Sequence, residues 1–239
     1  MKPACFALLS LWLLTPQASL AQRFQTISIA EEKVLLEEVA DSSLIFLFEG
    51  MEQAVITLDN GTPYTASINY NILGDAMQTQ TRRGIQTIDP HQVNRVELAG
   101  SVFIHHWEEG YLEVLSEKRF PLFLKRTIQI SAVPVVRGAY GTKDHTSSID
   151  QACYITTGPS GEFYLTNSTG KEMDITLRYN EYFLIGKDER LLKISNQRQL
   201  LRDFPEYRNQ IRDFLRKKNF NFQDSDDLKK LLTFLEELP

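Results

Sequence analysis

The chain has 239 residues, 42% of them apolar and 24% charged, with 26 basic against 31 acidic side chains and a formal net charge of −5. Neutralising phosphates needs a basic surface, so this balance argues against nucleic acid as a partner. Only Cys153 follows the first 21 residues, which leaves no internal disulfide to build on, and the fold must rest on its core.

The opening stretch, MKPACFALLSLWLLTPQASLAQ, places one Lys before an apolar run from Ala4 to Leu14. That run is too short to span a bilayer, and Ser19-Leu20-Ala21 puts small residues where a signal peptidase cuts. Residues 1–21 are therefore expected to be a cleaved signal peptide, with Gln22 the new N-terminus. Cleavage removes Lys2 and leaves 25 basic against 31 acidic residues, a net of −6. Cys5 stands inside the apolar run and not at the cleavage point, so it is not read as a lipidated cysteine. No later run is apolar for long enough to make a membrane helix.

Residues 22–194 carry mostly strand signals. Ser28-x-x-Glu31 reads as a capping box opening a short helix over 29–39. SLIFLF reads as a fully buried strand. In AVITLDNGTPYTASINYN, Asn60-Gly61 supplies a tight turn, and Ala66, Ile68 and Tyr70 alternate with Thr65, Ser67 and Asn69. Further strand-like runs are AMQTQT, GIQTI, VNRVEL, SVFIHHW, YLEVL, FPLFLKRTIQISAVPVV, CYITT, EFYLTN, DITLRY and EYFLIG. Many short strands without intervening long helices predict an α+β fold, mainly antiparallel β, as a sandwich or as a rolled sheet or barrel.

From Ser195 to the end the period changes to 3.6. SNQRQLLRDF reads as a helix capped by Ser195. Asp203-x-x-Glu206 with Pro205 begins a second helix that ends near Asn219, and a third starts at Asp224–Ser225 and buries Leu228, Leu231, Leu232 and Leu235. Residues 195–239 are thus a C-terminal helical segment of two to three short helices. Such helices need a partner surface, so they are expected to pack on the same unit.

Three pieces, LDNGTPYTASINYNILGDAM, YLEVLSEKRFPLFLKR and RQLLRDFPEYRNQIRDFLRKKNFNFQDSDDLKKLLTFLEEL, resemble those of uncharacterised secreted proteins of Bacteroidetes-type bacteria. The resemblance covers most of the chain after the leader. It implies export and a β-plus-helix unit, and it implies no substrate, cofactor or catalytic residue.

The one stretch with the makings of chemistry is SVFIHHWEEGYLEVL, Ser101 to Leu115. A two-residue turn at Glu109-Gly110 would pair His106 with Glu113, His105 with Val114 and Trp107 with Leu112. Phe103, His105 and Trp107 would then share an apolar face, and His106 would face Glu113 on the wet one. Adjacent strand residues point to opposite faces, so His105 and His106 cannot hold one metal together, and zinc wants three or four converging ligands. The wet face offers His106, Glu108 and Glu113 at best. The expectation is no metal, no cofactor and no catalytic residue, with a hydrolase centred on His106, Glu108 and Glu113 as one alternative.

Other patterns read as structure. Ser168-Thr169-Gly170-Lys171 matches S-x-x-K, but in a hairpin-like turn and not at a helix start. GPSGEF around Ser160 lacks the G-x-S-x-G spacing. DSDDLKKLLTFLEE lacks the glycine and the final glutamate of a calcium loop, so Asp224, Asp226 and Asp227 read as favourable charge at a helix N-terminus. Cys153 reads as a buried inert thiol. Arg208, Arg212 and Arg216 form a stripe that reads as a solvated helix face, with docking to an acidic partner or lipid head groups as the alternative. The polar loop at 137–151 is the longest connection, and its His145, beside Asp144, has no visible nucleophile partner. The functional expectation is an exported, non-enzymatic binding or scaffold module acting on an envelope or extracellular partner. The alternative from another class is a carrier whose rolled sheet holds an apolar ligand such as a lipid.

Overall fold

In chain order the strands and helices begin with β1 (Phe24–Ile29), β2 (Lys33–Leu35), α1 (Leu36–Val39), α2 (Ser42–Ile45), β3 (Glu52–Leu58), β4 (Pro63–Asn71), β5 (Ala76–Thr81) and β6 (Gly84–Thr87). After a 3₁₀ turn at Pro90–Gln92 come β7 (Val93–Leu98), β8 (Ser101–His106), β9 (Gly110–Ser116) and β10 (Leu122–Pro134). The two-residue strands β11 (Val136–Arg137) and β12 (Lys143–Asp144) precede β13 (Cys153–Thr157), β14 (Phe163–Asn167), β15 (Met173–Lys187) and β16 (Arg190–Ile194). The helices α3 (Gln197–Asp203), α4 (Arg208–Arg216) and α5 (Ser225–Glu236) close the chain. This computed structural model describes residues 23–82, 84–137, 143–144, 153–158, 162–216 and 220–238. The expected signal peptide, the end of the second helix near Asn219, Ser160, and most of the 137–151 loop with His145 lie outside the described residues.

The fold is mainly antiparallel sheet with C-terminal helices, as expected. One large sheet runs β1-β15-β10-β9-β8-β7-β3-β4-β5-β6, and β16 shares with β1 the outer edge of β15. It is open, so the closed-barrel form of the expectation does not occur. DITLRY and EYFLIG are one 15-residue strand, because no turn residue interrupts them and Asn180 simply pairs with Thr127 of β10. That length lets β15 serve two cores on one face. Met173, Ile175 and Leu177 pack under α1, α2 and the small sheet β13-β14-β2. Phe183 and Ile185 pack with Leu122 and Leu124 under α3–α5. A third core lies on the inner face of β3, β4, β5, β7, β8 and β9, and Ile128 and Tyr179 touch both it and the first.

Two local expectations are corrected. No helix spans 29–39: β1 runs to Ile29, and only Leu36–Val39 is helical. Ile27 and Ile29 alternate toward Ile175 and Met173, and the Ser28 hydroxyl donates to Asp174 across the ladder instead of capping. Pairing with a long strand outweighs a single capping signal. SLIFLF is not a strand either. Asp41 caps the helical turn α2 by accepting the Ser43 N–H at 2.9 Å, and Leu44 and Ile45 are buried against the small sheet. A continuous apolar run has no period of its own, so the cap decides.

The β3–β4 turn is longer than an Asn-Gly two-residue loop. Leu58 N–H donates to Thr62 C=O, and only Gly61 takes the left-handed conformation, at φ +81°. Ile68 and Tyr70 are buried as expected, but Asn69, expected on the wet face, is buried as well, because the 46–50 segment covers it and its side chain donates to the Phe48 and Gly50 carbonyls. Of the C-terminal helices the first and third match expectation, whereas Asp203 ends α3 without capping the second, which enters through a 3₁₀ turn at Pro205–Tyr207 and becomes α-helical at Arg208. Asn196, one residue after Ser195, caps α3, and Asp224 caps α5 by accepting from Asp226 and Asp227 N–H. Leu228, Leu231, Leu232 and Leu235 are buried.

Candidate functional site

The β8–β9 hairpin turns through Trp107, Glu108 and Glu109, with Gly110 in the left-handed region at φ +72°. His106 pairs with Gly110, His105 with Tyr111 and Phe103 with Glu113. The loop therefore has three residues and not two, because the His106 Nδ1 accepts the N–H groups of Glu108 and Glu109, each at 3.3 Å, and Gly110 supplies the bulge that such loops use. A three-residue change in register flips the parity. His106 and Glu113 lie on opposite faces, contrary to the expected cross-strand pair, and Trp107 leaves the apolar face to stand 80% exposed at the tip. His106, Glu108 and Glu113 do not converge, so the alternative hydrolase centre is not assembled there. The separation of His105 from His106 is as expected, and His105 does share its face with Phe103.

Glu113 instead joins a network on the inner face. Its carboxylate accepts from the Ser101 hydroxyl at 2.7 Å and meets the Arg126 guanidinium at 2.5 Å. Arg126 also reaches Glu181 at 3.2 Å, and Glu181 accepts the Tyr179 hydroxyl.

A second polar cluster sits at the foot of the hairpin. β9 and β10 pair only through Leu122–Leu124 and then part. Into the gap comes Asp75, held at φ +49° in the turn between β4 and β5, a conformation that Asp tolerates better than most residues. Its Oδ1 accepts the Tyr70 hydroxyl at 2.6 Å and the Tyr111 N–H at 3.2 Å. Its Oδ2 meets the buried Lys125 ammonium at 2.8 Å, which also donates to the Tyr111 carbonyl at 3.3 Å. Burial, with the Asp75 charge behind it, pushes the Tyr70 and Tyr111 phenols well above the ordinary tyrosine range. Tyr182 is pushed up to about 12 by burial and then by Glu109, which accepts its hydroxyl at 3.1 Å. The Tyr70 and Tyr182 phenols are fixed donors, the buried Tyr111 hydroxyl has no hydrogen-bond partner among the described residues, and all three are poorly suited to act as bases.

The Tyr111 ring stacks edge-on with Tyr70 and His105, and His105 with His91. Burial lowers the His105 pKa, and Asp75 only partly opposes this while His91, Lys125 and His106 add to it. The unfolded state thus binds the extra proton first, so stability is complete above the unfolded value of about 6.5 and falls as pH drops through it. Urea unfolding at pH 7 and pH 5 should show that loss, and His105→Gln should make the difference smaller.

Around the cleft between the hairpin loop and β10 lie Leu73, Trp107, Glu109, Arg126 and Tyr182. Among the described residues no group of three or more His, Cys, Asp or Glu side chains could hold a metal. Ser168 and Lys171 lie in the β14–β15 turn, where Asn167 Oδ1 accepts from the Thr169 N–H at 3.1 Å, so the S-x-x-K match does not open a helix. The buried Cys153 thiol is pushed up by desolvation, in keeping with an inert core residue. No helix among the described residues is long and apolar enough to cross a membrane.

Sequence reasoning missed Asp75, Lys125, Tyr70 and Tyr111. A signal was present in FLKRTI, where a Lys-Arg pair interrupts an otherwise apolar strand and so demands buried partners. No protein-family model matches the chain, and no curated protein or solved structure matches it.

Proposed function

We propose that the protein is an exported, non-enzymatic binding or scaffold module of the bacterial cell envelope. One observation carries the reading. The ionisable groups on the floor of the hairpin cleft are already committed to one another, Lys125 to Asp75, Tyr182 to Glu109 and Arg126 to Glu113 and Glu181, which leaves Glu108 alone on the loop, while Trp107 stands 80% exposed on the rim. A rigid rim with a large exposed aromatic suits contact with a partner, since tryptophan is enriched where interfaces derive their energy. The leader sequence and the resemblance to secreted proteins support export. The carrier alternative draws on a closed sheet, and the open sheet favours the module.

Trp107→Ala should change stability by less than about 0.5 kcal/mol, since the ring is out of the core. The same substitution should abolish photo-crosslinking to an envelope partner from a probe placed at Glu108. Mass spectrometry of the exported chain should find Gln22 at its start. Hydrolysis of an ester, amide or glycoside by the purified protein, lost in Glu108→Gln at unchanged Tm, would overturn the reading.

A further inference from the structure

We infer that the groove between α3 and α4 is a docking site for an acidic segment of a partner polypeptide. It shares no residue with the hairpin cleft and does not depend on the role proposed for that cleft. Arg198, Arg202, Arg208 and Arg212 line it together with Gln197 and Leu201, and no acidic residue does. It continues along α4 past Arg212 to Arg216. On α4 the stripe of Arg208, Arg212 and Arg216 is about 12 Å long at the helical rise, and Arg198 and Arg202 form a shorter rail of about 6 Å on α3.

These charges are largely unspent. Arg202 meets the largely buried Asp203 at 2.9 Å, and Arg216 meets Asp213 at 3.5 Å in an exposed pair. The nearby Glu206 is held by Lys187 at 2.6 Å. Among the described residues Arg198, Arg208 and Arg212 have no ion-pair partner, in a chain whose overall charge is negative. The arrangement also works against the helix that carries it. The i, i+4 spacings set like charges beside each other along α4. An anionic ligand relieves that repulsion.

Every cation in the groove is an arginine, whose planar fork takes carboxylates two oxygens at a time. An anionic membrane surface fits less well, because amphipathic lipid binding uses large apolar side chains beside the charges. The exposed large apolar residues of the described chain are Phe24, Val55, Tyr64, Trp107 and Tyr154, none of them on these helices. Two rails of forks flanking a partly apolar floor at Leu201 and Leu215 suit an extended peptide with several carboxylates.

The full chain after leader removal should bind a short fluorescein-labelled glutamate-rich peptide, read by fluorescence anisotropy at low ionic strength. Arg198→Glu and Arg212→Glu, each at an exposed site, should keep the wild-type Tm and each weaken binding by about fivefold or more. Lys171→Glu, an exposed charge reversal elsewhere, should change it by less than about twofold. Peptide binding that ignores both arginine reversals would overturn the proposal. Tighter binding of inorganic polyphosphate, or of phosphatidylglycerol vesicles, than of the peptide would overturn it as well, since the site would then be built for phosphate or for a lipid surface.

Discussion

Gly110→Ala is expected to lower the free energy of unfolding by about 4–5 kcal/mol, because two separate penalties fall on one methyl group. The first is conformational: at φ +72° an L side chain costs roughly 1–2 kcal/mol. The second is a collision. A Cβ at this position would lie 1.6 Å from Asp75 Oδ2 and 3.0 Å from Lys125 Nζ. Asp75 must move, and in moving it abandons the Tyr70 hydroxyl, the Tyr111 N–H and a buried ammonium together. Breaking one side of a buried pair costs about 3–5 kcal/mol, and the one-third exposure of Asp75 places this case toward the lower end. Gly61→Ala separates the terms, since it shares the positive φ but its added methyl would meet nothing within 4 Å, so it should cost only the conformational part. Urea midpoints at constant slope give both numbers. In Asp75→Ala the added Gly110→Ala should cost much less than in the wild type. Equal losses for Gly61→Ala and Gly110→Ala would show that the Asp75 clasp does not constrain the hairpin.

Removing residues 195–239 should abolish the folded state. Leu200, Phe204, Ile211, Leu228, Leu231 and Leu235 are all 0% exposed, and burying each contributes roughly 1.5–3 kcal/mol. That sum is comparable with the whole net stability of a domain, about 5–15 kcal/mol. The loss is two-sided, because Leu122, Phe183, Ile185 and Ile194 of the sheet, with Phe120 of the β9–β10 connection, would be uncovered together. The truncated chain should be insoluble, or bind a hydrophobic dye and lack near-ultraviolet circular dichroism. A soluble product with a cooperative transition at the full-length midpoint would show that the helices contribute little to this core.

The helices were nearly complete in the sequence. Leu228, Leu231, Leu232 and Leu235 announce a buried stripe by spacing, and Asp224 announces its start by capping chemistry. The strand β4 and the runs that became β7, β8 and β9 were legible for the same reason: each signal lies within a few residues of the structure it specifies. The N-terminal segment misled because its signals conflict. Ser28-x-x-Glu31 looks like a cap, yet Ile27 and Ile29 find a ladder on β15 some 150 residues away, and the ladder prevails.

The sequence by itself therefore determined that this chain makes an antiparallel sheet covered by amphipathic helices, and that His105 and His106 point apart. Tertiary structure alone decided that Asp75 meets Lys125 across 50 residues, that Glu113 turns inward to Arg126, and that Arg198 and Arg202 join the stripe on α4. The hairpin lies between the two cases, since one imidazole accepting two N–H groups lengthened its loop and reversed the face of every residue beyond it. Periodicity is a property of near neighbours and can be read along the chain. Convergence of distant charges depends on where β9 and β10 part and how α3 crosses α4, and those are set by the packing of the whole sheet.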